Sequence, residues 1–155
     1  MKKRLLERMG ELCVMGCINL PTLPEQAANI AELLQGAHAD GFAWGDMAVL
    51  CHDAKTRDLC ARTLAKRSVP VQNRIGPGHY DPLANSVKVM TMRVSKGLEF
   101  PVVALPGVED LSCLEEIDPE AVACVAAEVD ARRDAARVLY VAATRATQRL
   151  ILGSE

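Results

Sequence analysis

The chain has 155 residues, half of them hydrophobic and a quarter charged, with a formal net charge of −2 at pH 7. That is the balance of one globular domain with a core of its own, not of a disordered tail or a basic nucleic-acid-binding arm. Near neutrality argues against a stand-alone, salt-driven DNA binder, although a local groove need only be positive itself. Aromatic residues at 3% leave no material for an extended base-stacking platform.

Residues 1–10 are basic and amphipathic and read as a leader or helix end; residues 11–155 read as one domain. Leu12 to Leu20 is a short apolar run stopped by Pro21, as a buried strand would be. A helix is predicted from about Pro24 to His38, capped by Thr22 with Glu25 three residues on and with Ala27, Ile30, Ala31 and Leu34 at helical spacing. Gly36 and Gly41 bracket its exit. Asp46 to Cys51 reads as a second buried strand, and a helix follows from about Asp53 to Lys66. Val69 to Asn73 is a third strand, placed at an edge because Pro70 cannot donate to a ladder. This β-α-β-α-β order predicts an α/β fold with a mostly parallel sheet and helices on both faces.

Residues 75–85 form a loop rich in glycine and proline, and Gly76-Pro77-Gly78 within it is not a phosphate-binding loop. Ser86 to Met92 reads as a strand, 95–99 as a turn, and Pro101 to Pro106 as another strand. The acidic stretch 109–120 reads as solvated loop. Helical sequence runs from about Pro119 to Ala146, and Gln148 to Leu152 closes the chain as a strand.

Six cysteines (13, 17, 51, 60, 113 and 124) and three scattered histidines show no zinc-ligand spacing. Several lie in apolar runs, where a reduced thiol behaves as a small hydrophobe; zinc and disulfide readings stand behind that one. The sequence shows no secretory signal and no stretch of about 18 apolar residues, so a cytoplasmic protein with no membrane partner is expected.

Two segments carry the chemistry. Along Ser86–Met92 the alternation of a strand puts Val87, Val89, Thr91 and Arg93 on one side, with Thr91 and Arg93 at the carboxyl end where open α/β sheets bind ligands. Ser95-Lys96-Gly97 then offers a hydroxyl, an ammonium and a backbone without Cβ, suited to phosphate oxygens; an ordinary capped turn reads the same way. In the later helix, Ala135, Val138, Leu139, Ala142, Ala143 and Ala146 form one apolar face. Arg145 emerges beside that seam, able to donate bidentately to a phosphate or to pair with a carboxylate. The two segments are read as facing one cleft that holds phosphates.

Thr91-Met-Arg-Val-Ser-Lys-Gly-Leu-Glu-Phe100 resembles motif V of the UvrD/PcrA/Rep-like superfamily 1 DNA helicases, and Val138-Leu-Tyr-Val-Ala-Ala-Thr-Arg-Ala146 resembles their motif VI. Asp46–Cys51, the following helix and Val69–Val71 are similar to the middle of the family's second RecA-like motor domain, so the likeness covers the chain from about residue 11. Three departures stand out. Arg93 replaces the usual histidine, Asp134 stands where a glutamate is usual, and the short connection from Asn73 to Ser86 leaves no room for the large helical insertion, which suggests the compact branch of the family. The resemblance implies a three-layer RecA-like fold and assigns roles by position. Arg145 would be the catalytic arginine finger, with Lys96, Gly97 and Glu99 also at ATP, Glu99 on its ribose. Thr91, Arg93 and Ser95 would face single-stranded or partly duplex DNA. ATP and Mg2+ would sit against an N-terminal RecA-like domain that carries the Walker lysine and the metal-binding acids, neither of which occurs here. The function implied is the C-terminal motor domain of an ATP-dependent DNA helicase, inactive as an isolated chain. A non-catalytic, helicase-derived interaction module is the alternative. A transferase or nucleotidyl enzyme on the same sheet lacks any acid–base or nucleophile constellation.

Overall fold

A computed structural model of the chain describes residues 14–74, 80–95, 97–107, 142–143 and 145–154. Its six strands are β1 (Val14–Asn19), β2 (Met47–Cys51), β3 (Val71–Asn73), β4 (Val87–Thr91), β5 (Phe100–Leu105) and β6 (Ala146–Ser154). They form one sheet in the order β1-β6-β5-β2-β4-β3, every pairing parallel. β1 and β3 are therefore its edges, and β3 is the edge strand the proline predicted.

Helices α1 (Leu23–Ala39) and α2 (Ala54–Lys66) are started by the residues the sequence offers for it. The Glu25 amide donates to Thr22 Oγ1 at 3.4 Å, and the Thr56 amide donates to Asp53 Oδ1 at 2.7 Å, each satisfying one of the amides a helix start leaves without a partner. α1 runs through Gly36 and ends at Ala39, so Gly41 (φ +109°) alone of the two glycines turns the chain out.

The sheet separates two cores. On one face Ile30, Ala31 and Leu34 of α1 and Cys60 and Leu64 of α2 pack on Met47, Val49, Val87, Val89 and Val102. On the other, Ala142 and Ala143 lie against Leu50, Met90, Phe100, Val103 and Leu150, as their small side chains permit. Each fully buried Leu, Ile or Val contributes roughly 1.5–3 kcal/mol, and β2, buried along its whole length, is the hydrophobic centre of both layers. The α/β three-layer arrangement expected from the sequence is the one observed.

Among the boundaries that differ from expectation, two bear on the site. The helix predicted to reach Ala146 stops earlier: Ala142 and Ala143 are helical, the Arg145 amide closes a turn onto the Ala142 carbonyl at 3.1 Å, and Ala146 is already the first residue of β6. The cause is pairing across the sheet, since the Phe100 amide donates to the Arg145 carbonyl at 2.8 Å and Phe100 stands opposite Ala146. β4 likewise ends at Thr91 and Met92–Ser95 winds into a 3-10 turn, which takes Arg93 out of the strand alternation. The leader, the loop 75–79, the acidic stretch, the helical sequence from Pro119 to Val141, and Asp134 with them, lie outside the described residues. Cys51 and Cys60 are buried free thiols.

Candidate functional site

Because all strands are parallel, the sheet has one carboxyl edge and one amino edge, and the predicted site residues divide between them. Thr91 closes β4 at the carboxyl edge, level with Cys51 at the end of β2. Arg93 and Val94 follow on the exposed side of the 3-10 turn. Ser95 is different: it is buried, and its hydroxyl donates to the Met92 carbonyl at 2.5 Å. Its role is to close the turn that displays Arg93.

The chain then returns to the amino edge. Gly97 takes φ +82° with open space around its missing Cβ, so backbone conformation, not crowding, favours glycine there. The Leu98 amide caps the turn on the Ser95 carbonyl at 2.9 Å, and exposed Glu99 leads into β5. Arg145, half-buried, occupies the turn before β6, and the Phe100–Arg145 backbone bond makes Glu99 and Arg145 neighbours. Lys96 falls outside the described residues. The first segment thus spans both edges, with Thr91 and Arg93 at one and Glu99 with Arg145 at the other; β4 alone separates the edges by about 17 Å at the usual rise per residue.

At the carboxyl edge the start of α2 adds polar groups the sequence reading did not single out. His52 Nε2 lies 2.9 Å from Asp53 Oδ2, and Leu23, His52, Asp53, Lys55, Thr56, Leu59 and Gly107 line an open hollow of about 300 Å³. Hydrogen bonding from the Thr56 backbone holds the Asp53 carboxyl below its ordinary range. Asp58, taking hydrogen bonds from Asn73 and Arg57, is likewise lowered. Gln26 ties this edge together: fully buried in α1, it donates from Nε2 to the Leu20 carbonyl at 3.1 Å and accepts the Gly107 amide at 2.9 Å. A glutamine on the turn before Ile30, in the buried stripe of α1, was the available signal. Gly107, at φ +69°, could carry no Cβ without meeting Leu23 Cδ2 at 2.9 Å.

Lys88 was also missed. It is enclosed on the sheet face of β4, where its ammonium donates to the Ala84 and Ser86 carbonyls, and burial pushes its pKa down. Among the described residues no group of three or more His, Cys, Asp or Glu could hold a metal ion. No helix among them is long and apolar enough to cross a membrane.

Both the sequence and the fold of this domain have known counterparts. Residues 77–154 match the UvrD-like helicase C-terminal domain. The chain is 36% identical, over 96 aligned positions, to an ATP-dependent helicase/nuclease subunit of Lactobacillus johnsonii, a match covering 46% of this chain and 8% of that protein. The chain thus spans only a small part of that relative's length. A crystal structure of the C-terminal domain of a possible DNA helicase from Lactobacillus plantarum shares the fold, with a TM-score of 0.58 at 19% identity, over 99% of this chain and 80% of that one. The chain belongs to the UvrD-like helicase C-terminal domain family, whose matching segment spans half its length and contains both site segments.

Proposed function

We propose that the chain is the C-terminal motor domain of an ATP-dependent DNA helicase or translocase, working in the cytoplasm with an N-terminal RecA-like domain. The observation that carries this reading is the backbone bond from Phe100 to Arg145 (2.8 Å), which keeps Glu99 and Arg145 side by side at the amino edge. A carboxylate and a guanidinium carried on neighbouring backbone suit a nucleoside triphosphate, the one for ribose hydroxyls and the other for phosphate oxygens. Bound there, ATP with Mg2+ would supply the phosphoryl transfer that drives movement. Arg145 would donate to the γ-phosphate and stabilise its developing charge, with Gly97 and Lys96 shaping the turn beside the nucleotide. Mg2+ would be held from the opposite domain, where the resemblance puts the metal-binding acids.

At the carboxyl edge, Thr91 and exposed Arg93 would contact the backbone of single-stranded DNA, while Ser95 fixes the turn that presents them. Cleft closure on ATP and reopening after hydrolysis would move this track along the strand. The purified chain alone is expected to bind single strands and to show no ATP turnover. Sustained ATPase activity of the chain by itself, abolished by Arg145→Ala, would overturn the claim that a first motor domain is required.

A further inference from the structure

Arg74 directly follows β3 and is tied to the strand and turn beside it. The Arg74 amide donates to the Val89 carbonyl at 2.9 Å, continuing the ladder one residue past β3. The position of Arg74 beside the end of β4 is therefore set by the sheet. Its guanidinium lies over the Tyr80 ring, 4.7 Å from the centroid, and reaches the Val94 carbonyl at 3.5 Å, on the turn that also carries Arg93. The Arg57 guanidinium in turn donates to the Arg74 carbonyl at 3.4 Å.

Charge pairing separates this arginine from others in the domain. Arg57 is matched by Asp58 at 3.0 Å, Arg67 by Glu32 at 3.2 Å and Arg149 by Asp40 at 2.8 Å. Arg74 and Arg93 have no carboxylate partner among the described residues, and they stand at the carboxyl ends of adjacent strands, which lie about 4.8 Å apart in a sheet. A guanidinium stacked on an aromatic ring keeps its edge donors in a fixed plane, so less side-chain freedom is lost when it binds an anion. An aromatic ring beside uncompensated cations is also the composition of surfaces that track single strands.

We infer that Arg74, braced by Tyr80 and the Val94 carbonyl, is a second phosphate-contacting residue that extends the single-strand track from β4 onto the edge strand β3. The ligand is the phosphodiester backbone of single-stranded nucleic acid, and the inference rests on the single-strand role proposed for the β4 turn.

The test is binding of a fluorescent oligo(dT) to the 155-residue chain by anisotropy across a salt series, for wild type, Arg93→Ala, Arg74→Ala and Arg74→Lys. Releasing one phosphate contact lowers the slope of log K against log salt by about 0.7 for single strands. Arg74→Ala is expected to weaken binding severalfold at low salt and to lower the slope by that amount. Arg74→Lys, which keeps the charge and loses the planar stack, should retain the slope while binding less tightly. Weaker binding of Arg74→Ala with an unchanged slope would mean a structural role only and would overturn the inference. Wild-type behaviour of Arg74→Ala beside a clear loss in Arg93→Ala would also overturn it, leaving the β4 role intact. Failure of the wild-type chain to bind, or an Arg93→Ala chain indistinguishable from it, would remove the β4 role and this inference together.

Discussion

The two edges of the sheet are built from similar residues and treat their charges differently. At the carboxyl edge Arg74 and Arg93 follow the ends of neighbouring strands, with no carboxylate partner among the described residues. At the amino edge Arg149 is held by Asp40 at 2.8 Å and lies 4.9 Å over the Phe42 ring, and Arg145 is a backbone neighbour of exposed Glu99. A long polyanion is followed by cations left uncompensated and spaced along a surface. A single nucleotide needs one cation aimed at one place and the rest of the edge kept rigid. On the proposed function, one motif running from Thr91 to Phe100 would serve both, because it begins at one edge and ends at the other.

The largest effect is expected at Arg145. In a protein carrying both motor halves, Arg145→Ala should lower ATP turnover roughly a thousandfold or more, the range of a lost arginine finger. Single-strand binding should change less than about twofold, because the opposite edge is untouched. Steady-state ATPase and anisotropy assays on the same preparation read both.

A smaller effect separates the latch of the carboxyl edge from its cations. Gln26→Leu keeps the volume of the buried side chain but leaves the Leu20 carbonyl and the Gly107 amide without partners. The expected cost is about 1–3 kcal/mol of stability, read from urea denaturation. A midpoint equal to that of the wild type would show that the loops leaving β1 and β5 are held by other contacts.

The smallest effect is on pH. The Asp53 and Asp58 carboxyls lie below their ordinary range in the folded chain, so the unfolded chain binds more protons as acid is added. Their stabilisation is fully present above the ordinary carboxylate pKa of about 4 and is lost as pH falls through the lower folded values. The urea midpoint should therefore be level near neutrality and decline below about pH 4. Asp53→Asn, which still caps α2, should flatten part of that decline.

Much of this architecture was legible in the sequence, for local reasons. The apolar runs of β2 and β5 and the caps Thr22 and Asp53 announce themselves within a few residues. The likeness to two helicase motifs pointed to Thr91, Arg93, Glu99 and Arg145. What escaped depends on partners distant in the chain. The end of the last helix is decided by Phe100 pairing with Ala146, and no periodicity within 135–146 carries that information. Arg74 and Tyr80 are separated by a glycine- and proline-rich segment that reads as loop, so their stacking was invisible. Gln26 and Lys88 were passed over because a polar residue inside an apolar stripe signals a site only once its partners are known.

The central claim is that the two edges do different work, and one crossed measurement tests it most directly. Arg93→Ala and Arg145→Ala are compared, in a protein with both motor halves, for single-strand affinity and for ATP turnover at saturating DNA. The account predicts a crossed result: Arg93→Ala binds DNA about tenfold more weakly at low salt, the loss of one charged contact, and retains turnover once saturated. Arg145→Ala binds normally and does not turn over. Equal loss of both activities in both variants would contradict it, because the edges would then form a single site.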